Sequence, residues 1–249
     1  MRGLIQSHLK GLVTDINFFE GSTNILSFTV AGRSKFEKAD GSEGYNYTYQ
    51  RCKAFGLYAN TLKDLIAVAA PVEVFGQVRR RDYKNAQEED RVDISVTVNK
   101  VLILDGEFES FADSKGQLIM EDCINTTSIV GNLVRDVKYR KTNNGVSVAN
   151  ATLAVNSQYA ERDYVTYINI KAFGSEADNL QASLKGQPIA ATGRIASESY
   201  QTTEDETRYH TFISVDDVSP LKILKQQDTQ VGGDIDIDEV FPPDEDLAF

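Results

Sequence analysis

The tetrapeptide Lys-Ala-Phe-Gly occurs twice, at 53–56 and 171–174, 118 residues apart. One match of four residues carries little weight, but the surroundings match as well. LSFTVAGRSKF (26–36) precedes the first copy and VANATLAVNSQY (148–159) precedes the second. VEVFGQVRRRDY (72–83) follows the first and PIAATGRIASESY (188–200) follows the second. Four stations in one order mark an internal duplication. The chain must therefore build one fold twice, from about 100 residues each time. Its 249 residues suit that division.

Each copy reads as strands, one helix, then strands. In the second, TSIVGNLV alternates, with Gly131 where a strand can bend or bulge. VSVANATLAV alternates again after the turn signal Asn143-Asn144-Gly145. YVTYINIKAF is a third strand. SEADNLQASLKG predicts a short helix capped by Ser175, with Asp178 three residues on. Ala177, Leu180 and Leu184 share its face, and Gly186 stops it. PIAATGRIA and HTFISVDDV supply two more strands. In the first copy NTLKDLIAVAA is the expected helix and Pro71 its stop. Five short strands with a helix between the third and fourth is the order of an OB-fold, a partly open Greek-key barrel. The fold class is thus all-β: two tandem OB-folds, at 1–105 and 122–224. The polar segment GEFESFADSKGQ places a linker at 106–121. Residues 225–249 read as a disordered acidic tail.

The net charge of −11 at first argues against a nucleic-acid ligand. It is unevenly spread. Residues 228–249 hold eight Asp/Glu and no Lys/Arg, and setting those eight aside leaves about −3 for the body. An electropositive groove is compatible with that. Two cysteines, Cys52 and Cys123, make no disulfide framework, so a reduced cytoplasmic setting is expected. No stretch has the apolar length of a membrane span, and MRGLIQSHLKGLVTD reads as a first strand, not a signal peptide.

The third strand carries the functional argument. Side chains alternate between the faces of a strand. In the second copy Ile168, Ile170 and Ala172 form the core side, while Tyr167, Asn169, Lys171 and Phe173 form the other. In the first copy that other face is Tyr47, Tyr49, Arg51, Lys53 and Phe55. One reading gives the rings to the core and lets the cations snorkel out. Against it, the isoleucines already fill the core, and the pattern recurs in both copies. Exposed rings beside cations form a stacking platform for unpaired bases, each worth roughly 1–3 kcal/mol. Arg79-Arg80-Arg81 with Tyr83 repeats the combination on the fourth-strand hairpin. Tyr200 matches Tyr83 but stands near Glu198, so the second groove is expected to be the weaker.

The order SIVGNLVRD, GVSVANATLAV, YINIKAFG, LKGQPIAATGRI and the acidic-hydrophobic end resemble bacterial single-stranded DNA-binding proteins. The tandem copies and DIDIDEVFPPDEDLAF resemble most the two-OB-fold type of the Deinococcus–Thermus group. That resemblance implies stacking at four stations per barrel: Phe36 and Tyr159, Tyr49 and Tyr167, Phe55 and Phe173, Tyr83 and Tyr200. Tyr47, Arg51, Lys53, Lys171, Arg194 and the Arg79–Arg81 run complete the expected DNA contacts. It also implies a homodimer holding four OB-folds; no cofactor or metal is expected. The family often has Trp at the stacking stations and this chain has none.

The end of the sequence sets three acids, Asp244, Glu245 and Asp246, before Leu247, Ala248 and Phe249. By resemblance this is a docking tip for replication, recombination and repair proteins. Its Phe would enter an apolar pocket and its acids meet a basic rim. A merely solubilising tail is the alternative. Ala248 replaces a usual Pro, and the stretch before the tip is short. Catalysis is disfavoured. His8 and His210 lack metal-ligand spacing, no phosphate-cradling Gly-rich loop occurs, and Asp136, Asp216 and Asp217 read as solvated turn residues. An OB-fold nuclease, an RNA-binding OB protein and a protein-protein adaptor stay as rivals.

Overall fold

The computed structural model describes residues 3–38, 40–84, 88, 90–159, 162–201 and 207–221. The first copy contains β1 (Leu4–Phe19), β2 (Ile25–Glu37), β3 (Glu43–Phe55), α1 (Gly56–Lys63), β4 (Pro71–Lys84) and β5 (Asp90–Ile103). β1 pairs with β2, β2 with β3, β3 in parallel with β5, β5 with β4, and β4 with β1. The ring closes in the order 1-2-3-5-4-1, the OB-fold order. β1 serves β4 with residues 7–12 and β2 with residues 12–19, where its register shifts between Val13 and Asp15. The second copy repeats the ring with β8 (Ile124–Leu133), β10 (Ser147–Tyr159), β11 (Arg162–Phe173), α2 (Gly174–Gln181), β12 (Pro188–Gln201) and β13 (Thr207–Pro220). A short β9 (Lys138–Lys141) pairs with β10 across the turn at Gly145.

The repeated tetrapeptide has a physical cause. Its Phe ends the third strand, and its Gly opens the helix at φ +62 in Gly56 and +54 in Gly174. That left-handed conformation favours glycine. Each helix then plugs its barrel with equivalent residues, Ala59 and Leu62 in α1, Ala177 and Leu180 in α2. The third helical residue also satisfies a strand N–H in both copies. Val101 donates to the Tyr58 hydroxyl, and Val218 donates to Glu176, both at 2.9 Å.

The barrels meet along β1 and β8, which pair antiparallel from Leu4↔Val130 to Lys10↔Ile124. The sheet therefore runs on through β4-β1-β8-β12. Gly11 faces Val72 as Gly131 faces Ile189, so the two glycines hold one station of the repeat. The same offset sets Ser7 on Thr127, and these two stand directly opposite each other. A pseudo-two-fold axis passes between them. Their hydroxyls are 2.5 Å apart and both residues are buried.

Several sequence expectations need correction. α1 spans Gly56–Lys63, earlier than the NTLKDLIAVAA segment, and Pro71 starts β4. The left-handed glycine fixes the start, and the apolar run after Lys63 is a loop that drops Ile66 into the core. Phe173, not Ser175, holds the N-cap position of α2, with no side-chain cap, and Asp178 accepts instead from Tyr139 at 2.8 Å. Leu184 lies beyond the helix and is exposed. No bulge occurs at Gly131; a Cβ there would press to 2.9 Å of the Ala154 carbonyl oxygen, so the glycine permits close strand approach. Asp216 and Asp217 lie on β13 and not in a turn. The 106–121 segment carries a hairpin, β6 (Ser110–Ala112) and β7 (Leu118–Glu121), with Ile119 and Met120 buried. Cys52 and Cys123 are free and buried, and burial pushes both thiols up. Residues 222–249 lie outside the described residues.

Candidate nucleic-acid interface

β3 and β11 sort their side chains by face. Cys52 and Ala54 join the core of the first barrel, and Ile168, Ile170 and Ala172 that of the second, while Thr48 and Gln50 are also buried, Thr48 accepting from Asn125 at 3.1 Å. The rings between them stay open to solvent. Tyr49 is 46% exposed and Tyr167 48%, while Phe55 and Phe173 are each 42% exposed. The near-identical values show that the duplication preserves an exposed ring row, not only a motif. Tyr47, Phe36 and Tyr83 are exposed too. Phe36 lies across Gly44, where a Cβ would press on its ring. Tyr159 and Tyr200 sit on β10 and β12, and their side chains lie outside the described residues.

In the first copy the ring row borders a groove of about 590 Å³. Tyr49, Arg51, Tyr83 and Asp93 line it, facing the tip of the β6–β7 hairpin. Ser197, Tyr209 and Thr211 of the second copy close one side, so the groove is composite. The second groove is about 230 Å³ and is lined by Arg135, Lys138, Asn169, Lys171, Glu198 and Phe212, among others.

The cations are not free charges. Arg51 lies 3.3 Å from Asp93, and Lys53 reaches the same carboxylate at 2.5 Å. Lys171 pairs with Glu198 at 2.5 Å and also lies 5.3 Å over the Phe173 ring. Glu198 does offset the second groove, but Asp93 offsets two cations of the first. The expected contrast between a strong and a weak groove has no electrostatic basis in these pairings. In either copy an anion approaching these paired cations meets the carboxylate that already holds them.

The Arg79–Arg81 run divides. Arg79 donates to Ser157 of the second copy at 3.3 Å, and Arg80 is held by Asp82 and reaches the Tyr167 carbonyl at 3.5 Å. These two tie the β4–β5 hairpin to the other barrel. Arg81 and Tyr83 are exposed farther along β4. Arg194 pairs with Asp216 at 3.3 Å, away from the lining of the second groove. His8 stacks on Phe75 and bonds Glu73, away from both ring rows.

Sequence reasoning missed Tyr209, which is 74% exposed at the first groove, and Arg135 and Lys138 at the second. Tyr209 stands one residue before the strand segment read from the sequence. The RDVKYRK run held the two cations in plain view.

These features define a class: a tandem OB-fold protein with an exposed row of rings and cations on each barrel. The sequence profile of the Single-strand binding protein family matches residues 9–104 and 124–221. The chain belongs to that family. It is 27% identical to the single-stranded DNA-binding protein of Thermus aquaticus over 266 residues, covering 100% of this chain and 99% of that one. Identity with the Deinococcus radiodurans single-stranded DNA-binding protein is 24% over 229 residues, 88% and 76% of the two chains. The crystal structure of the wild-type Thermus aquaticus protein superposes with a TM-score of 0.70 at 23% identity, covering 89% of this chain and 95% of that one. At that identity the superposition speaks for the fold.

Proposed function

We propose that the chain binds single-stranded DNA without sequence preference, stacking unpaired bases on the ring rows of β3 and β11. The carrying observation is that both barrels keep rings outward beside cations, with Tyr49 and Tyr83 on the first groove and Lys171, which lies over the Phe173 ring, on the second. Stacking on π-faces is tolerant of sequence, and duplex hides those faces. Relatives named single-stranded DNA-binding proteins, matched over the whole chain, support the choice of DNA. The role is binding and protection of single strands in replication, recombination and repair, with no catalytic step. We take 1–105 and 122–224 as the binding units, and two chains as the working assembly. Titration with oligo-dT followed by tyrosine fluorescence tests this reading. Preference for poly-U over poly-dT would favour an RNA-binding role, and no response to either would favour an adaptor.

Asp93 gives a sharper test. Asp93→Asn should release Arg51 and Lys53 for phosphates. Each added single-strand phosphate contact steepens the slope of log affinity against log salt by about 0.7. The variant should therefore bind tighter at low salt, with a slope steeper by about 0.7–1.4. An unchanged slope would mean that neither cation reaches DNA.

The segment Asp244, Glu245, Asp246, Leu247, Ala248 and Phe249 would dock partner proteins through its Phe. Tethered near the grooves, the acidic tail would also compete with DNA at high effective concentration. Deleting residues 240–249 should tighten single-strand binding most at low salt, where screening is weakest. Equal affinity with and without the segment at every salt concentration would reject the competition.

A further inference from the structure

The β6–β7 hairpin lies outside the duplication; in the second copy the short β9, which belongs to the β8–β10 connection, takes the place beside β10 that β7 takes beside β2. Its base is built into the first barrel. β7 runs parallel to β2, pairing Met120 with Gly32 and Glu121 with Arg33. Arg33 Nε donates to Glu121 at 2.6 Å. Its guanidinium is sandwiched 4.1 Å from the Tyr45 ring centre and 3.6 Å from that of Phe111. Phe111 then meets Tyr47 edge-on at 6.3 Å.

The tip is equally ordered by its own bonds. Asp113 Oδ1 accepts the backbone N–H groups of Lys115 at 2.8 Å and Gln117 at 2.9 Å. The other oxygen, Oδ2, accepts the Tyr49 hydroxyl at 2.7 Å. The turn fixes the carboxylate, and the carboxylate fixes the phenol. The titration directions agree. Tyr49 and the turn N–H groups hold the Asp113 carboxyl below the usual carboxylate range. Burial, then the Asp113 bond, pushes the Tyr49 phenol up.

A lid would cover the ring. Here Tyr49 stays 46% exposed, and the groove between it and the tip stays open. Building on the single-strand reading above, we propose that Asp113 is a positioning residue for the Tyr49 ring, and that the connector hairpin is a wall of the first groove. A ring free on a strand face loses rotamer freedom when a base stacks on it, and one already tethered at its hydroxyl loses less.

The test uses the full chain and oligo-dT. Tyr49→Phe keeps the ring and removes the tether; Asp113→Ala removes it from the other side. Each should weaken binding by about threefold to tenfold, and the double variant by no more than either alone. Asp113→Asn keeps an acceptor oxygen and should recover part of the loss. Tighter binding by Asp113→Ala would make the hairpin a competitor and overturn the proposal. So would unchanged affinity in both Tyr49→Phe and Asp113→Ala beside a clear loss in Tyr49→Ala, which would leave the single-strand reading standing. Unchanged affinity in Tyr49→Ala and Tyr167→Ala would remove that reading as well. If Asp113→Ala lowers the melting temperature, Tyr49→Phe decides alone, because it leaves the hairpin's own bonds in place.

Discussion

Replacing Tyr49 and Tyr167 together by alanine should weaken oligo-dT binding by on the order of 2–6 kcal/mol. Each ring supplies one stack worth roughly 1–3 kcal/mol, and rings on separate barrels are expected to add. Each single variant should show about half the loss. Folding should be little affected, because the outward positions are not the ones that fill the barrels. Thr48 and Ile168, the buried neighbours, are untouched. Surface changes of this kind usually stay within about 0.5 kcal/mol in stability. Because the chain has 11 tyrosines and no tryptophan, tyrosine quenching reports the titration directly. A double variant binding within a factor of two of the parent would remove the ring rows from the interface.

The second large effect concerns the seam. Thr127 is wholly buried against Ser7, so Thr127→Asp would place an uncompensated carboxylate between the barrels. The expected loss of stability at neutral pH is on the order of 3–5 kcal/mol. The pH dependence fixes the cause. Burial raises the folded pKa of the new carboxyl, while the unfolded chain keeps a value of about 3.9. Between the two, the folded state holds a proton that the unfolded state has released. Stability relative to the parent therefore falls as pH rises through that window, and recovers below about pH 4. Urea midpoints of variant and parent at several pH values measure it. By contrast, Thr127→Val alone leaves the Ser7 hydroxyl without its partner and should cost about 1–3 kcal/mol, whereas Ser7→Ala with Thr127→Val should come close to neutral. A Thr127→Asp chain as stable as its parent at pH 7 would mean that water reaches the seam.

The barrel order was legible because the repeat gave two readings of each element, and the strand faces were legible because β3 and β11 alternate strictly. Helix boundaries were not. The apolar segment from Leu65 to Ala70 looks more helical than Gly56–Lys63, but the left-handed glycine dictates where the turn begins. The connector hairpin was hidden by its polar composition, and its anchors Ile119 and Met120 lie just past the polar stretch. The roles of Arg79 and Arg80 were hidden for another reason. Their partners Ser157 and Tyr167 come within reach only once β1 has paired with β8, a contact no local pattern encodes.

That pairing happens inside one molecule. Dilution cannot separate the halves, since the strength of the seam does not depend on how many chains are in solution. It also frees the halves from copying each other. In a ring of identical subunits every substitution appears at every position, favourable or not. Here Asp93 faces one channel and His210 the other, and a change to either alters a single bay while its counterpart stays as it was.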